Sequence, residues 1–154
     1  MSIPIQNPGP PLTEADLDLA EQRSGVRIPD AYRSFLLSNN GGFPEQPCAF
    51  VLGDNTGERL FKGTIGWFLG IGVKESVSLE YVLRTFQGRL PKGFFPIARD
   101  PGGNLIGLLT QGKHKGKIAF WDHEQEGDQP SLRNLVVIAD DLKDLLENKL
   151  FKDE

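Results

Sequence analysis

The sequence predicts an α+β fold, a single domain built on a central antiparallel β-sheet. One stretch contains three short apolar runs, residues 94–98, 105–109 and 118–121, separated by two gaps of turn-forming residues, which is the pattern of a three-stranded meander. Apolar residues recur at helical spacing before and after this stretch. A length of 154 residues is typical of one domain. We therefore predict a meander over residues 94–121, packed by an N-terminal helix pair, a middle helix and a C-terminal helix.

Residues 1–11 are predicted to form an extended, proline-rich lead-in, and residues 12–154 the domain itself. Four prolines occur between residues 3 and 11, and proline neither continues a helix nor donates to a sheet ladder. We expect the lead-in to pack on the domain without contributing chemistry.

The helix pair follows directly. Thr13 and Asp16 have the spacing of a capping box, and Gly25 suits the left-handed position that ends a helix. Pro29 then suits the first position of a second helix, whose apolar residues recur three and four apart. Asparagine and glycine at positions 39–42 end that helix.

Strands and then the middle helix are predicted between the helix pair and the meander. An apolar run at residues 48–52, followed by turn-forming residues at 53–57, indicates a hairpin. Residues 64–70 indicate a strand or a pair of strands with a bulge near Gly66. Helical spacing between residues 78 and 88, with a serine at the start and a glycine at the end, predicts the middle helix.

The two gaps of the meander differ in chemistry. Residues 100–104 suit a tight turn in which Asp100 bonds its own backbone. Two glycines in this turn also resemble a phosphate-binding loop, but such a loop needs a helix after it, and residues 105–109 predict a strand. The second gap, residues 110–117, carries three lysines and a histidine, which we interpret as a solvated cationic loop rather than a phosphate site.

The C-terminal part predicts one more strand and one more helix. Residues 125–130 form a polar link, and the apolar run at 135–139 is either a last strand or an extended entry to the helix. Asp141 and Asp144 have the spacing of an N-cap, and leucines between residues 142 and 150 share one helical face.

Composition restricts the classes of function. The formal net charge is −4, from 21 acidic and 17 basic residues, so we expect no direct binding of nucleic acid. The single cysteine, Cys48, excludes an internal disulfide and a cysteine-rich zinc site, and we interpret it as a buried apolar thiol. Because the sequence has neither a membrane-spanning run nor a signal-peptide pattern, we expect a cytoplasmic protein that does not bind membranes.

One histidine-containing segment has the residue types of a catalytic or metal site. Asp122, His123 and Glu124 could hold a metal or supply a general base, since imidazole titrates near neutral pH and carboxylates orient it. Successive strand residues point to opposite faces, however, and the only other histidine lies in the cationic loop. We therefore predict no catalytic residue, no metal and no cofactor, and interpret this segment as a solvated strand end able to bind a partner.

Four other residues are open to two interpretations each. Trp67 and Trp121 carry large apolar area and one N–H donor, so either suits the core or an interface. We expect Trp67 to be mostly core, whereas Trp121, beside acidic residues, is the better interface candidate although the core suits it as well. Arg99 and Asp100 either contact a partner or pair with each other, or Asp100 bonds within its turn while Arg99 is an ordinary surface residue.

The order of these segments resembles the SUKH superfamily, also described as the Smi/Knr-like domain. The resemblance runs from about residue 12 to residue 146, with residues 46–78 the least diagnostic, and depends on the order of the motifs rather than on any one of them. The matching stretches are Gly25-Val26-Arg27-Ile28-Pro29-Asp30-Ala31-Tyr32, Phe35-Leu36, Asn40-Gly41-Gly42, Phe95-Pro96-Ile97-Ala98 with Asp100 and Gly102-Gly103-Asn104, and residues 116–124 and 135–146. The chain departs from the family in having Asp140-Asp141 where a serine is common, which changes the helix cap but not its geometry.

The resemblance implies a non-enzymatic protein-binding function. Bacterial members are regarded as immunity proteins that neutralise polymorphic toxins, many of them nucleases, and fungal relatives as interaction hubs in cell-wall regulation. It therefore implies a cognate toxin as the partner, and the acidic balance suits a basic nuclease surface. The alternatives are a regulatory interaction hub and a small hydrolase or ligand-binding enzyme that uses His123; the oligomeric state is left open. We place the partner-binding surface at Arg99, Asp100, Trp121, Asp122, His123 and Glu124.

Overall fold

The chain forms short helices and runs of short strands in the computed structural model, which describes residues 3–53, 60–125 and 135–153. The helices are α1 (Glu14–Ser24), α2 (Asp30–Ser38), α3 (Leu79–Thr85) and α4 (Leu142–Asp144), which continues as a π-helical turn at Leu145–Lys149, and 3₁₀ turns lie at Glu75–Val77 and His123–Gln125. The strands are β1 (Ile5–Gln6), β2 (Phe43–Pro44), β3 (Cys48–Gly53), β4 (Leu60–Thr64), β5 (Trp67–Phe68), β6 (Phe94–Arg99), β7 (Leu105–Leu109), β8 (Ile118–Trp121), β9 (Leu135–Ala139) and β10 (Phe151–Lys152). Within these three ranges, no helix combines the length and the apolar character that crossing a bilayer requires.

Five antiparallel strands form the large sheet, in the order β5-β6-β7-β8-β9. Strands β6, β7 and β8 are consecutive in the chain and adjacent in space, so the predicted meander and the α+β fold class are confirmed. The apolar run at residues 135–139 is a strand, because β9 pairs with β8. Residues on β7 and β8 are buried throughout, which places the meander in the centre of the core.

The large sheet is covered on both faces, as two neighbouring residues of β8 show. Phe120 packs against Phe50 of β3, with ring centres 5.8 Å apart, and Trp121 packs edge-on against Phe86, just after α3, at 5.8 Å. Successive strand residues point to opposite faces. The small sheet therefore lies against one face and α3 against the other.

The small sheet has the order β10-β3-β4. Antiparallel pairing of β3 with β4 confirms the predicted hairpin, although most of its predicted turn, residues 54–57, lies outside the described residues, as does most of the predicted polar link at 125–130. Residues 64–70 contain two strands that belong to different sheets, because the chain leaves the small sheet after Thr64 and joins the large one at Trp67.

The predicted helix signals are present at α1 and α3. Thr13 and Asp16 form the capping box, and Gly25 has φ +72° at the end of α1, whereas Ser78 caps α3 by accepting the N–H of Tyr81. Pro29 differs slightly from its predicted position: it precedes α2 as the N-cap residue with an extended backbone.

The C-terminal helix is shorter than predicted. Asp141 caps α4 by accepting the N–H of Asp144, as its spacing predicts, but the helical turns end before Leu150, whose backbone is extended. The reason is that the chain turns to pair β10 with β3. Leu150 is still buried, as Leu142 and Leu145 are.

Asn40 attaches the lead-in to the domain. Its carbonyl oxygen accepts the N–H of Gly9 at 2.8 Å, and its side-chain amide donates to the carbonyl oxygens of Pro10 and Ile71, both at 2.8 Å. β1 also pairs with β2. Residues 3–11 therefore run along the body of the domain and are held there by hydrogen bonds to their backbone groups.

Candidate functional site

The candidate site lies at one end of the large sheet, where β6 ends, β7 begins and β8 ends. Because neighbouring strands are antiparallel, these ends meet, and the connecting segments lie side by side. We define the meander edge as Arg99, the turn at residues 100–104 and residues 121–124. All six residues predicted to bind a partner belong to it, so the structure brings them together.

Asp100 forms the internal support of the β6–β7 turn. Its carboxylate accepts the backbone N–H and the side-chain amide of Asn104, both at 2.8 Å, and its own N–H donates to the carbonyl oxygen of Asn104 at 3.1 Å. Only 7% of the residue is exposed. Of the two interpretations of Asp100, the structure shows the one in which the carboxylate bonds within its own turn.

His123 connects this turn to the end of β8. Its backbone N–H donates to Oδ1 of Asn104 at 3.0 Å, and its Nε2 lies 2.8 Å from the carbonyl oxygen of Gly102. A carbonyl oxygen only accepts hydrogen bonds, so Nε2 carries the proton. In this arrangement Nε2 is a donor that fixes the turn rather than a base open to a substrate.

Trp121 lies in the core. It is 1% exposed, because β8 is flanked by β7 and β9 and Phe86 packs edge-on against the indole ring. This decides between the two interpretations of Trp121: in this structure its side chain presents no surface to a partner, and its contribution to the meander edge is to anchor the end of β8.

The carboxylates that follow Trp121 lie nearer to solvent. Asp122 is half-buried and accepts the backbone N–H of Glu124 at 3.0 Å, and Glu124 is exposed. The described residues contain no group of three histidine, cysteine, aspartate or glutamate side chains able to hold a metal ion. These carboxylates therefore present negative charge at the turn that follows β8.

Arg99 and Trp67 form a second, cationic part of the site. They lie opposite each other on β6 and β5, with the guanidinium carbon 5.8 Å from the centre of the indole ring. Both donate to the carbonyl oxygen of Ser76, Trp67 at 2.9 Å and Arg99 at 3.4 Å. Trp67 is half-buried rather than core. Sequence reasoning missed its place beside Arg99, because the pairing of β5 with β6 depends on a contact between residues far apart in the chain.

Cys48 and the cationic loop lie outside the site. Cys48 is fully buried, as predicted, and burial raises the pKa of its thiol to about 11, so it is not a nucleophile at neutral pH. In the loop between β7 and β8, Lys113, His114 and Lys115 are exposed, which agrees with a solvated loop.

Fold and site together define a small α+β domain whose described residues form a five-stranded, a three-stranded and a two-stranded antiparallel sheet, with a charged edge at the end of a buried meander. The model of the SMI1 / KNR4 family (SUKH-1) matches residues 11–148, and the chain belongs to this family. It is also similar to the SPbeta prophage-derived uncharacterized protein YokK of Bacillus subtilis (strain 168), with 30% identity over 130 residues. That alignment covers 73% of this chain and 62% of the relative, so the chain spans less than two thirds of the relative's length.

Proposed function

We propose that this protein is a non-enzymatic immunity protein that binds a cognate toxin through the meander edge. The observation that carries the proposal is the composition of this edge: a half-buried arginine on a tryptophan face lies at the same end of the sheet as an exposed carboxylate, on turns fixed by hydrogen bonds. Arginine and tryptophan are enriched among the residues that dominate protein–protein binding energy. Membership of the SUKH-1 family supports a protein as the partner.

Rigidity of the edge favours binding. Asp100, Asn104 and His123 hold the two turns in one arrangement through four short bonds. A surface that is ordered before binding loses less conformational entropy on association. Neutralisation would then follow from occupation of the toxin's active site by this edge, with no reaction on the immunity protein.

Electrostatics favours a basic partner. The net charge is −4, and the exposed Glu124 adds negative charge at the edge itself. Opposite charge accelerates association and disfavours partners of the same sign. A nuclease that binds the phosphates of nucleic acid presents such a basic surface.

Two observations favour binding over catalysis. Nε2 of His123 is occupied by the carbonyl oxygen of Gly102, and Cys48 is buried with a raised pKa. The hydrolase alternative predicts that His123→Ala abolishes a measurable activity. We expect no activity to depend on this substitution.

Coexpression tests the proposal. The protein is produced in cells together with the toxin encoded beside it, and survival and copurification of the two proteins are measured. We expect survival and a stable complex of the two proteins. Neither rescue nor a complex would contradict the proposal, and copurification of several unrelated proteins instead would favour the interaction hub.

A further inference from the structure

We propose that Arg99 is the receptor for a carboxylate group of the partner, with Trp67 and Ser76 as its positioning residues. This inference deepens the proposed function. It rests on that function in one respect, namely that the carboxylate belongs to a protein partner. The overall charge of the surface favours a basic partner. Arg99 is a cationic contact within that surface, so the partner must also present one acidic residue to it.

Arg99 has no carboxylate partner among the described residues, in contrast to Arg23 and to Arg33, the other half-buried arginine of the described residues. Arg23 makes a two-pronged contact with Glu80, at 2.8 and 3.1 Å, and Arg33 lies among three carboxylates, those of Glu14, Asp18 and Glu21. Within the described part of the chain, Arg99 makes no ion pair, and its one hydrogen bond, to Ser76, is long at 3.4 Å. Arg99 therefore keeps a positive charge that no carboxylate of the described residues compensates.

The neighbouring carboxylate does not neutralise Arg99. Asp100 follows directly in the chain, but its two oxygens accept the N–H groups of Asn104. An Arg99–Asp100 pair is one of the alternatives that the sequence leaves open, whereas in the structure the carboxylate bonds within its own turn. The positive charge of Arg99 is thus left uncompensated by the residue best placed to compensate it.

Two of the three guanidinium nitrogens of Arg99 have no hydrogen-bond acceptor among the described residues. Nε is buried and has no acceptor among the described residues, and the terminal nitrogen Nη2 has no described partner and is not buried. A buried donor without an acceptor is unfavourable in the free protein. A carboxylate that reaches the guanidinium from its accessible side gains a strong, charge-assisted bond to Nη2.

Trp67 and Ser76 hold the guanidinium in place for such a ligand. The indole ring lies 5.8 Å below the guanidinium carbon, and Phe43 packs on the indole at 6.3 Å between ring centres. The indole N–H also fixes the carbonyl of Ser76 at 2.9 Å, which in turn accepts from Arg99. A planar guanidinium held in one orientation suits the planar carboxylate group.

A singly charged carboxylate fits the surroundings better than a phosphate. Glu124 is exposed at the same edge, and the net charge of −4 repels a doubly charged anion more than a singly charged one. The experiment therefore includes phosphate as a separate arm.

The test follows the Nε–H resonance of Arg99 by NMR while the protein is titrated with sodium acetate, with sodium phosphate and with sodium chloride at matched ionic strength. We expect a saturable shift with acetate that chloride does not produce, and no such shift for Arg33, whose charge is already compensated. Arg99→Lys and Arg99→Gln remove this resonance and serve for its assignment. A response to acetate no larger than that to chloride overturns the proposal, and a stronger response to phosphate overturns the assignment of the ligand as a carboxylate.

A second arm measures binding of the cognate toxin to the wild-type protein and to Arg99→Gln. We expect the Kd to rise on the order of tenfold or more, with a smaller effect for Arg23→Gln as the matched control. An unchanged Kd for Arg99→Gln overturns the role of Arg99. Absence of toxin binding by the wild type, with the acetate response intact, counts against the proposed function alone, so the two failures are distinguishable.

Discussion

Nε2 of His123 lies 2.8 Å from the carbonyl oxygen of Gly102, so the end of β8 is bonded directly to the turn between β6 and β7. The ring lies close to Gly103 as well, since a Cβ added there would meet Nε2 at 3.4 Å. The histidine and the glycines, which in the sequence resembled parts of a reactive site, thus form one structural unit. Its rigidity leads to the first prediction.

Gly103→Ala is expected to destabilise the protein by about 1–2 kcal/mol, because φ is +93° at this position and an L-residue is strained there. Gly102→Ala is the matched control: its added Cβ would meet its nearest neighbour at 3.5 Å, an ordinary contact. Urea unfolding of the two variants measures the difference. Equal stabilities would show that the backbone of the turn is not constrained as described.

Tyr32→Phe is expected to cost about 1–2 kcal/mol of unfolding free energy. The hydroxyl group of this fully buried residue donates to the β5–β6 region, where the carbonyl oxygens of Leu69 and Ile97 lie within hydrogen-bond distance, the latter at 3.0 Å. Both carbonyls stay buried when the hydroxyl is removed.

Tyr81→Phe is the control for this prediction, since the only other tyrosine is half-buried and its hydroxyl has no described protein hydrogen bond. We expect its effect to stay within about 0.5 kcal/mol. Thermal or urea unfolding measures both variants. A Tyr32→Phe variant as stable as wild type would contradict the role of the hydroxyl in joining α2 to the large sheet.

Alkaline pH is expected to weaken the fold through Cys48. Burial raises the pKa of its thiol from an ordinary value of 9.0 to about 11. Between these values the unfolded chain loses the thiol proton while the folded chain keeps it, so the free energy of unfolding falls as pH rises, by up to about 1.4 kcal/mol per pH unit from this group. Below pH 9 the thiol is protonated in both states, so the stability associated with the protonated Cys48 is fully present.

The measurement is urea unfolding of wild type and Cys48→Ala between pH 8 and pH 11, the range set by these two pKa values. We expect the stability difference between the two proteins to change with pH across this window. Alkylation by iodoacetamide at pH 8 is a second readout, and the thiol should react only when urea unfolds the chain. Rapid labelling of the folded protein would contradict the burial of Cys48.

Local signals account for the parts of the fold that were predictable. The capping box of Thr13 and Asp16 and the left-handed Gly25 depend on residues within one or two turns of helix. The meander was predictable because its three strands are consecutive and each turn carries residues suited to it. The residues proposed to bind a partner could be grouped for the same reason, since they lie at the ends of those consecutive strands.

The features that could not be predicted from the sequence depend on contacts between residues far apart in the chain. β10 pairs with β3, about a hundred residues earlier, and two residues carry no pattern that reveals such a partner. The facing of Trp67 with Arg99 likewise depends on how β5 docks against β6. Burial of Trp121 depends on Phe86 and on β9, so a tryptophan beside acidic residues could not be assigned to core or surface from the sequence.

The most direct test of the central claim compares Glu124→Lys with Glu147→Lys in binding to the cognate toxin. Both glutamates are exposed and the charge change is identical, but Glu124 belongs to the meander edge whereas Glu147 lies in the C-terminal π-helical turn. By calorimetry, we predict that Glu124→Lys raises the Kd on the order of tenfold or more, while Glu147→Lys leaves it within about twofold. Equal effects of the two substitutions, or a larger effect of Glu147→Lys, would contradict the claim that the meander edge binds the toxin.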